Sequence, residues 1–312
     1  MSRNNKTVVF EPEIESHPRE LYAASEIATG ASNFSEITVD HVRQYAEQGF
    51  LLIENAYLRE EIERARVDLG RMLSSSDPDC EKIYFEGALR NVRPDLTGDS
   101  QPDTANSGEA LALGSVSRHL PDLTAELRVK YVRKFMGFVN SHPPLAALAF
   151  KPELLALCAR LIGNPIQFYQ DMAMIKPPGG REKPWHQDHA YFDLALNTRV
   201  VGAWIALDDV DSGNGCMHVL PGGHRTGPRL HFHQRDWQIC DTEMLGKLCC
   251  AIPMKAGGCL LFDAMLPHGT PTNYSDRHRW AVQFHYIEAD AGTIRQEDRM
   301  AVFGSEGKNV SC

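Results

Sequence analysis

The histidines of this chain are unevenly spread, and most fall between residues 186 and 285. The sharpest pattern among them is Trp185-His186-Gln187-Asp188-His189. His186 and Asp188 are spaced i, i+2, so in an extended strand both side chains leave the same face. One imidazole nitrogen and one carboxylate oxygen can then converge on a single point, as binding of a divalent metal requires. An isolated H-x-D triplet also arises by chance. His268, in Leu266-Pro267-His268-Gly269-Thr270 just after the apolar run Cys259–Phe262, supplies a third candidate ligand. Two histidines and one carboxylate on a small β scaffold suit non-haem Fe(II) with cis positions left open, whereas zinc favours a tetrahedral site.

Arg279 lies eleven residues beyond His268, with the turn-like stretch Thr272-Asn273-Tyr274-Ser275-Asp276 between them. A hairpin centred between Asn273 and Tyr274 pairs position 268 with position 279. Cross-strand partners share a face, so this geometry predicts a metal-holding histidine beside an arginine whose fork suits a carboxylate.

The elements that must position these residues fall into two halves. Residues 1–34 are polar and read as a loosely attached arm. Thr38 caps a short helix stopped by Gly49, and Phe50-Leu51-Leu52-Ile53 follows as a buried strand. Leu58, Ile62, Ala65, Leu69 and Leu73 recur near helical spacing over 58–73. Residues 75–118 are rich in Ser, Asp, Gly and Pro around Tyr84-Phe85 and read as a substrate cover. Helices are expected over 122–140 and 144–162. From about residue 166 short apolar runs alternate with Gly, Pro and Asn turns, namely Ile166–Ile175, Val200–Leu207, Cys216–Leu220, Cys259–Phe262 and Trp280–Ile287. That spacing predicts an antiparallel β-sandwich or barrel backed by helices.

Composition narrows the function classes. The 312 residues carry a formal net charge of -9, which argues against nucleic acid as the main partner. No run approaches a membrane span and the N-terminus has no signal-like apolar stretch. A cytoplasmic protein acting on a small molecule is expected, with an oligomer compatible. The eight cysteines are scattered and read as reduced, mostly buried thiols.

With these residues in place, the chain resembles the phytanoyl-CoA dioxygenase family of Fe(II)/2-oxoglutarate-dependent oxygenases. The matching blocks run in the family's order. They are Thr38–Ile53, Met174-Ile175-Lys176-Pro177-Pro178, Trp185-His186-Gln187-Asp188, Ala203–Val210, Gly215–His224, and His268-Gly269-Thr270 through Arg279. Gly223 is a departure, since relatives usually carry Ser or Thr before the histidine that is His224 here.

The resemblance implies a mainly β fold with flanking helices and a double-stranded β-helix (jelly-roll, cupin-like) core. It implies one domain over 35–312, helical to about 165 with the jelly roll over about 166–290. His186, Asp188 and His268 become the iron ligands, and Arg279 the anchor for the distal carboxylate of 2-oxoglutarate, assisted by Thr270. Lys176 and Trp204 match positions that line the co-substrate pocket, although a strand-end charge and core packing are the plainer readings of each. Gln170 faces the same way as Met172, Met174 and Lys176 on a regular strand and could touch co-substrate, touch substrate or pack in the core. His224 is read as loop structure or support near the metal, and His189, His218, His231, His233, His278 and His285 as polar surface or support.

The activity so implied is hydroxylation of an unactivated carbon of a small or medium organic molecule. Fe(II) is the cofactor, 2-oxoglutarate and O2 the co-substrates, and ascorbate a support; succinate and CO2 are released. Desaturation, epimerisation, ring formation and hydroxylation of an acyl-CoA stay open. Arg90, Arg93, Arg118, Arg181, Lys183, Arg225 and Arg229 could serve an acyl-CoA, or be scattered surface charge. Asp188 argues against halogenation, which needs that ligand replaced by Ala or Gly. A non-catalytic jelly-roll binding protein has no need for Asp188 and Arg279 together.

Overall fold

The computed structural model describes residues 17–85, 116–117, 124–163 and 165–304. Two sheets face each other, with strands numbered here in chain order. The larger has the order β2 (Phe50–Ile53), β13 (Cys259–Asp263), β8 (Val200–Ala206), β15 (Arg279–Glu288), β6 (Ile166–Lys176), β5 (Val132–Met136), β3 (Lys82–Phe85), β4 (Val116–Ser117). The smaller has the order β1 (Glu26–Ile27), β12 (Cys250–Ile252), β9 (Met217–Val219), β14 (His268–Thr270), β7 (Lys183–His186). A separate hairpin joins β10 (His231–His233) to β11 (Trp237–Ile239). Pairing between these strands is antiparallel except for β1 on β12, and the architecture is the jelly roll.

Both faces of the larger sheet are covered, so its strands β2, β8 and β13 are apolar almost throughout rather than alternating. Leu51, Ile53, Leu261, Ala203, Ile205, Val282 and Phe284 meet the helices on one face, while Phe50, Leu52, Leu260, Phe262, Trp204 and Ala281 turn toward the smaller sheet. The helices are α1 (Val39–Gln48), α2 (Arg59–Ser74), α3 (Ala125–Tyr131), α4 (Pro143–Ala149) and α5 (Pro152–Ile162). α2 buries Ile62, Ala65, Leu69, Met72 and Leu73, the stripe its spacing requires. α1 ends at Gly49, whose φ of 82° lets its N–H reach Tyr45 O. None of the described helices is long and apolar enough to cross a membrane.

Three local expectations give way. The helix expected over 122–140 ends at Tyr131, and Val132–Met136 becomes a strand because β3 and β6 offer it partners on both sides. The turn that follows is held by the Asp171 carboxylate, which accepts from the backbone N–H of Gly137, Phe138 and Val139. The single helix over 144–162 is two helices, broken where Pro152 opens α5.

The segment expected as a loose arm is attached over its described residues, with Leu21, Tyr22 and β1 on the smaller sheet and Ala31 bridged to Ile53 of the larger. Tyr22 stacks on Trp185 at 5.7 Å, Trp185 Nε1 donates to Leu21 O, and β1 extends the sheet edge. Of the cover expected over 75–118, Lys82–Phe85 and Val116–Ser117 pair as strands, and 86–115 and 118 lie outside the described residues.

Candidate active site

His186 ends β7, Asp188 opens the short 3-10 turn Asp188–Tyr191 that follows, and His268 begins β14. β7 and β14 are neighbours in which His186 and His268 are register partners, with ring centroids 4.2 Å apart. A ligand atom from each of the three residues lies within 4.8 Å of the others, and all three residues are buried. Asp188 Oδ1 is 3.3 Å from His186 Nε2 and 3.6 Å from His268 Nε2.

The tautomers follow from the backbone. His186 Nδ1 lies 2.7 Å from Pro184 O and His268 Nδ1 2.9 Å from Leu266 O. A carbonyl only accepts, so each Nδ1 carries the proton and each Nε2 turns a lone pair toward the shared point. Burial, and next the neighbouring His186, push His268 down to about 3. It therefore needs to shed no proton at neutral pH to bind metal. Burial alone would raise Asp188, but the histidines around it, His285 by donating from Nε2, hold it well below the usual carboxylate range.

The hairpin expected to pair 268 with 279 does not form. β14 is flanked by β9 and β7, and β15 by β8 and β6, so neither has an edge left for the other. The chain between them crosses from one sheet to the other, and Arg279 stands opposite Lys176 on β6. Arg279 still lines the same cavity as His186, Asp188 and His268, a space of about 250 Å³ between the two sheets.

Arg279 is 2% exposed, and its Nε and Nη1 find no hydrogen-bond partner among the described residues. Its guanidinium carbon sits 5.3 Å from the centroid of the Trp204 ring. Burial lowers it to about 10, which leaves it a cation at neutral pH. A buried guanidinium with unspent donors is a fitted receptor for a carboxylate.

Thr270, Lys176, Trp204 and Gln170 all line the cavity. Lys176 Nζ donates to Thr270 Oγ1 at 2.8 Å and to Pro271 O at 2.6 Å, which ties β6 to β14 beside Arg279. Gln170 Nε2 lies 3.2 Å from His285 Nδ1. His224 does not line the cavity; its Nε2 bonds Ala46 O and its ring packs beside Gly49. Of the basic residues singled out from sequence, Arg181 and Lys183 reach the cavity and Arg229 instead pairs with Glu243. Arg90, Arg93 and Arg118 lie outside the described residues.

Sequence reasoning passed over Gln283, and took His285 only as one of several supporting histidines. Both bond Asp188 Oδ2. The signal was there: Arg279, Ala281, Gln283 and His285 recur every second residue, so on a strand they share a face.

A profile of the phytanoyl-CoA dioxygenase (PhyH) family matches residues 45–281. The phytanoyl-CoA dioxygenase domain-containing protein 1 of Bos taurus is 35% identical over 84% of this chain and 94% of its own length. The carbocyclase SnoK from nogalamycin biosynthesis superposes with a TM-score of 0.60 at 21% identity, covering 90% of this chain and 98% of SnoK. The epimerase SnoN, solved with Fe3+, alpha ketoglutarate and nogalamycin RO, gives 0.61 at 17% identity, covering 83% and 86%. At these identities the structural likeness speaks for the fold.

Proposed function

The chain belongs to the phytanoyl-CoA dioxygenase family of Fe/2-oxoglutarate-dependent oxygenases, and from that premise we propose that it hydroxylates an unactivated carbon of a small or medium organic molecule. The observation that carries this is the convergence of His186 Nε2, His268 Nε2 and Asp188 Oδ1 in the cavity that also holds the unpaired Arg279 donors. Fe(II), once bound, would activate O2, the oxidant, with 2-oxoglutarate supplying two electrons as it is decarboxylated to succinate and CO2 and the substrate C–H bond the other two.

This chain's residues do the rest. His186 and His268 offer Nε2 and Asp188 offers Oδ1 to the metal. Arg279 takes the distal carboxylate of 2-oxoglutarate by two parallel N–H donors. Lys176 donates to Thr270 Oγ1, which leaves that hydroxyl's own proton available to the carboxylate Arg279 would hold. Trp204, fully buried, closes the wall behind Arg279 and excludes water from the ion pair. Gln170 stands on the cavity wall near Asp188 through His285. On the substrate side the walls carry Tyr84, Tyr169, Tyr191 and Phe192 with Arg133 and Arg181. Flat apolar surfaces with a few charged groups suit a free acid, an amino-acid-like solute or a natural-product scaffold. Epimerisation or ring closure, the activities named for SnoN and SnoK, is a second reading that this fold can house.

The test is anaerobic titration of the metal-free protein with Fe(II) and then 2-oxoglutarate, followed by the metal-to-ligand charge-transfer band. Succinate release is then measured in air with ascorbate across a substrate panel. The band should appear and be lost in Asp188→Ala. A protein that forms no band and releases no succinate with any substrate is not this enzyme.

A further inference from the structure

We propose that Gln283 and His285 are positioning residues for Asp188, and that Gln170 fixes the tautomer His285 needs for that task. The inference rests on the metal site assigned above and concerns how this chain holds its one carboxylate ligand.

The two oxygens of Asp188 have different surroundings. Oδ1 faces the Nε2 atoms of His186 and His268. Oδ2 faces away from them and lies 2.7 Å from Gln283 Nε2 and 2.9 Å from His285 Nε2. Those two nitrogens are 3.0 Å apart because both converge on the same oxygen. An ionised carboxylate only accepts, so both nitrogens donate. Donation from His285 Nε2 leaves Nδ1 of the neutral ring as an acceptor, and the Gln170 amide nitrogen stands 3.2 Å from it. An amide N–H pointed at Nδ1 rules out the other tautomer, in which Nε2 could not donate to Asp188. Gln283 is 3% exposed and His285 fully buried, so water does not compete for these contacts. Phe192 packs edge-on against the His285 ring at 4.9 Å and holds its plane.

Turning Asp188 to present both oxygens to the imidazoles would strip two buried N–H donors of their acceptor, at a cost well above that of an exposed bond. Gln283 and His285 therefore keep a single oxygen on the metal side. Because Arg279 shares their face of β15, one strand carries both the co-substrate anchor and the groups that aim the carboxylate. Partners of this kind are worth about ten- to hundredfold in metal affinity.

The experiment is Co(II) titration of the full chain, read by visible d–d absorption, with melting of the metal-free protein in parallel. Gln283→Leu and His285→Leu should each bind Co(II) ten- to hundredfold more weakly, and His285→Gln, which restores an N–H donor, should recover most of the loss. Gln170→Leu should show a smaller loss of the same sign. Should His285→Leu fail to fold, Gln283→Leu and Gln170→Leu decide the matter. Folded Leu variants that bind Co(II) within threefold of the parent, while Asp188→Ala has lost it, overturn the proposal and leave the metal site standing. Parent-like binding by Asp188→Ala overturns the metal site itself.

Discussion

The Arg279 guanidinium lies 5.3 Å from the centre of the Trp204 indole, and both side chains are buried. A cation over an indole face is stabilised by the ring quadrupole, the more so away from water. The indole holds the guanidinium plane without using any of its N–H donors. The charge is thus fixed in place while its hydrogen-bonding capacity stays available for a ligand.

Arg279→Lys keeps the charge but loses the planar fork and the paired donors. A charge-assisted hydrogen bond is worth about 1.5–3 kcal/mol, so affinity for 2-oxoglutarate should fall roughly ten- to hundredfold, and further in Arg279→Ala. Metal affinity should change little, since Arg279 is not one of the three candidate ligands. Anaerobic titration of the metal-free protein with Fe(II), and then with 2-oxoglutarate, measures both. An Arg279→Ala protein with parental 2-oxoglutarate affinity would remove this residue from the site.

His186 and Asp188 were legible because the relation between them is local: two residues apart in extended chain, they face one way. Arg279 was legible as a site residue, but its partner was not. Which strand pairs with which is decided by the crossover between the sheets, and no turn arithmetic contains that. Val132–Met136 misread as helix for the same reason, since its strand state comes from β3 and β6 rather than from its own sequence. The burial of Tyr22 depends on Trp185 and Glu182 far along the chain, so a polar segment looked unattached. Gln283 and His285 differ: the alternating polar pattern on β15 was readable, and it was hidden only because Val282, Phe284 and Tyr286 made the strand look purely like core.

Gly202 on β8 couples packing to the site. A Cβ built there would stand 2.7 Å from Phe262 Cζ and 2.8 Å from Cε1. Phe262 is fully buried with its ring 4.7 Å from that of His268, so displacing that ring disturbs the surroundings of a candidate ligand. Overpacking of this kind costs about 1–3 kcal/mol. Gly202→Ala should therefore lower the denaturation midpoint and weaken Co(II) binding together. Gly202→Ala/Phe262→Leu should recover much of both by giving back volume. A Gly202→Ala protein with unchanged midpoint and metal affinity would mean the Phe262 ring has room elsewhere.

Acid should unfold the metal-free protein through histidines buried in neutral form. His231 is fully buried; its Nδ1 lies 2.8 Å from Arg229 O, while its Nε2 accepts the Gln187 backbone N–H at 3.1 Å. A proton on Nε2 would break that bond and bury a charge. Burial accordingly brings His231 down to about 3 and His218 to about 4. In the unfolded chain both return to about 6.5. Between that value and the folded one the unfolded state binds more protons, so stability falls as pH falls, by up to roughly 1.4 kcal/mol per pH unit for each histidine. Above about pH 7 neither contributes a slope. Urea denaturation in the presence of a chelator, from pH 7.5 down to 4.5, should show this decline. His231→Gln cannot take up the proton and should flatten it. An unchanged slope in that variant would place the acid sensitivity on other groups.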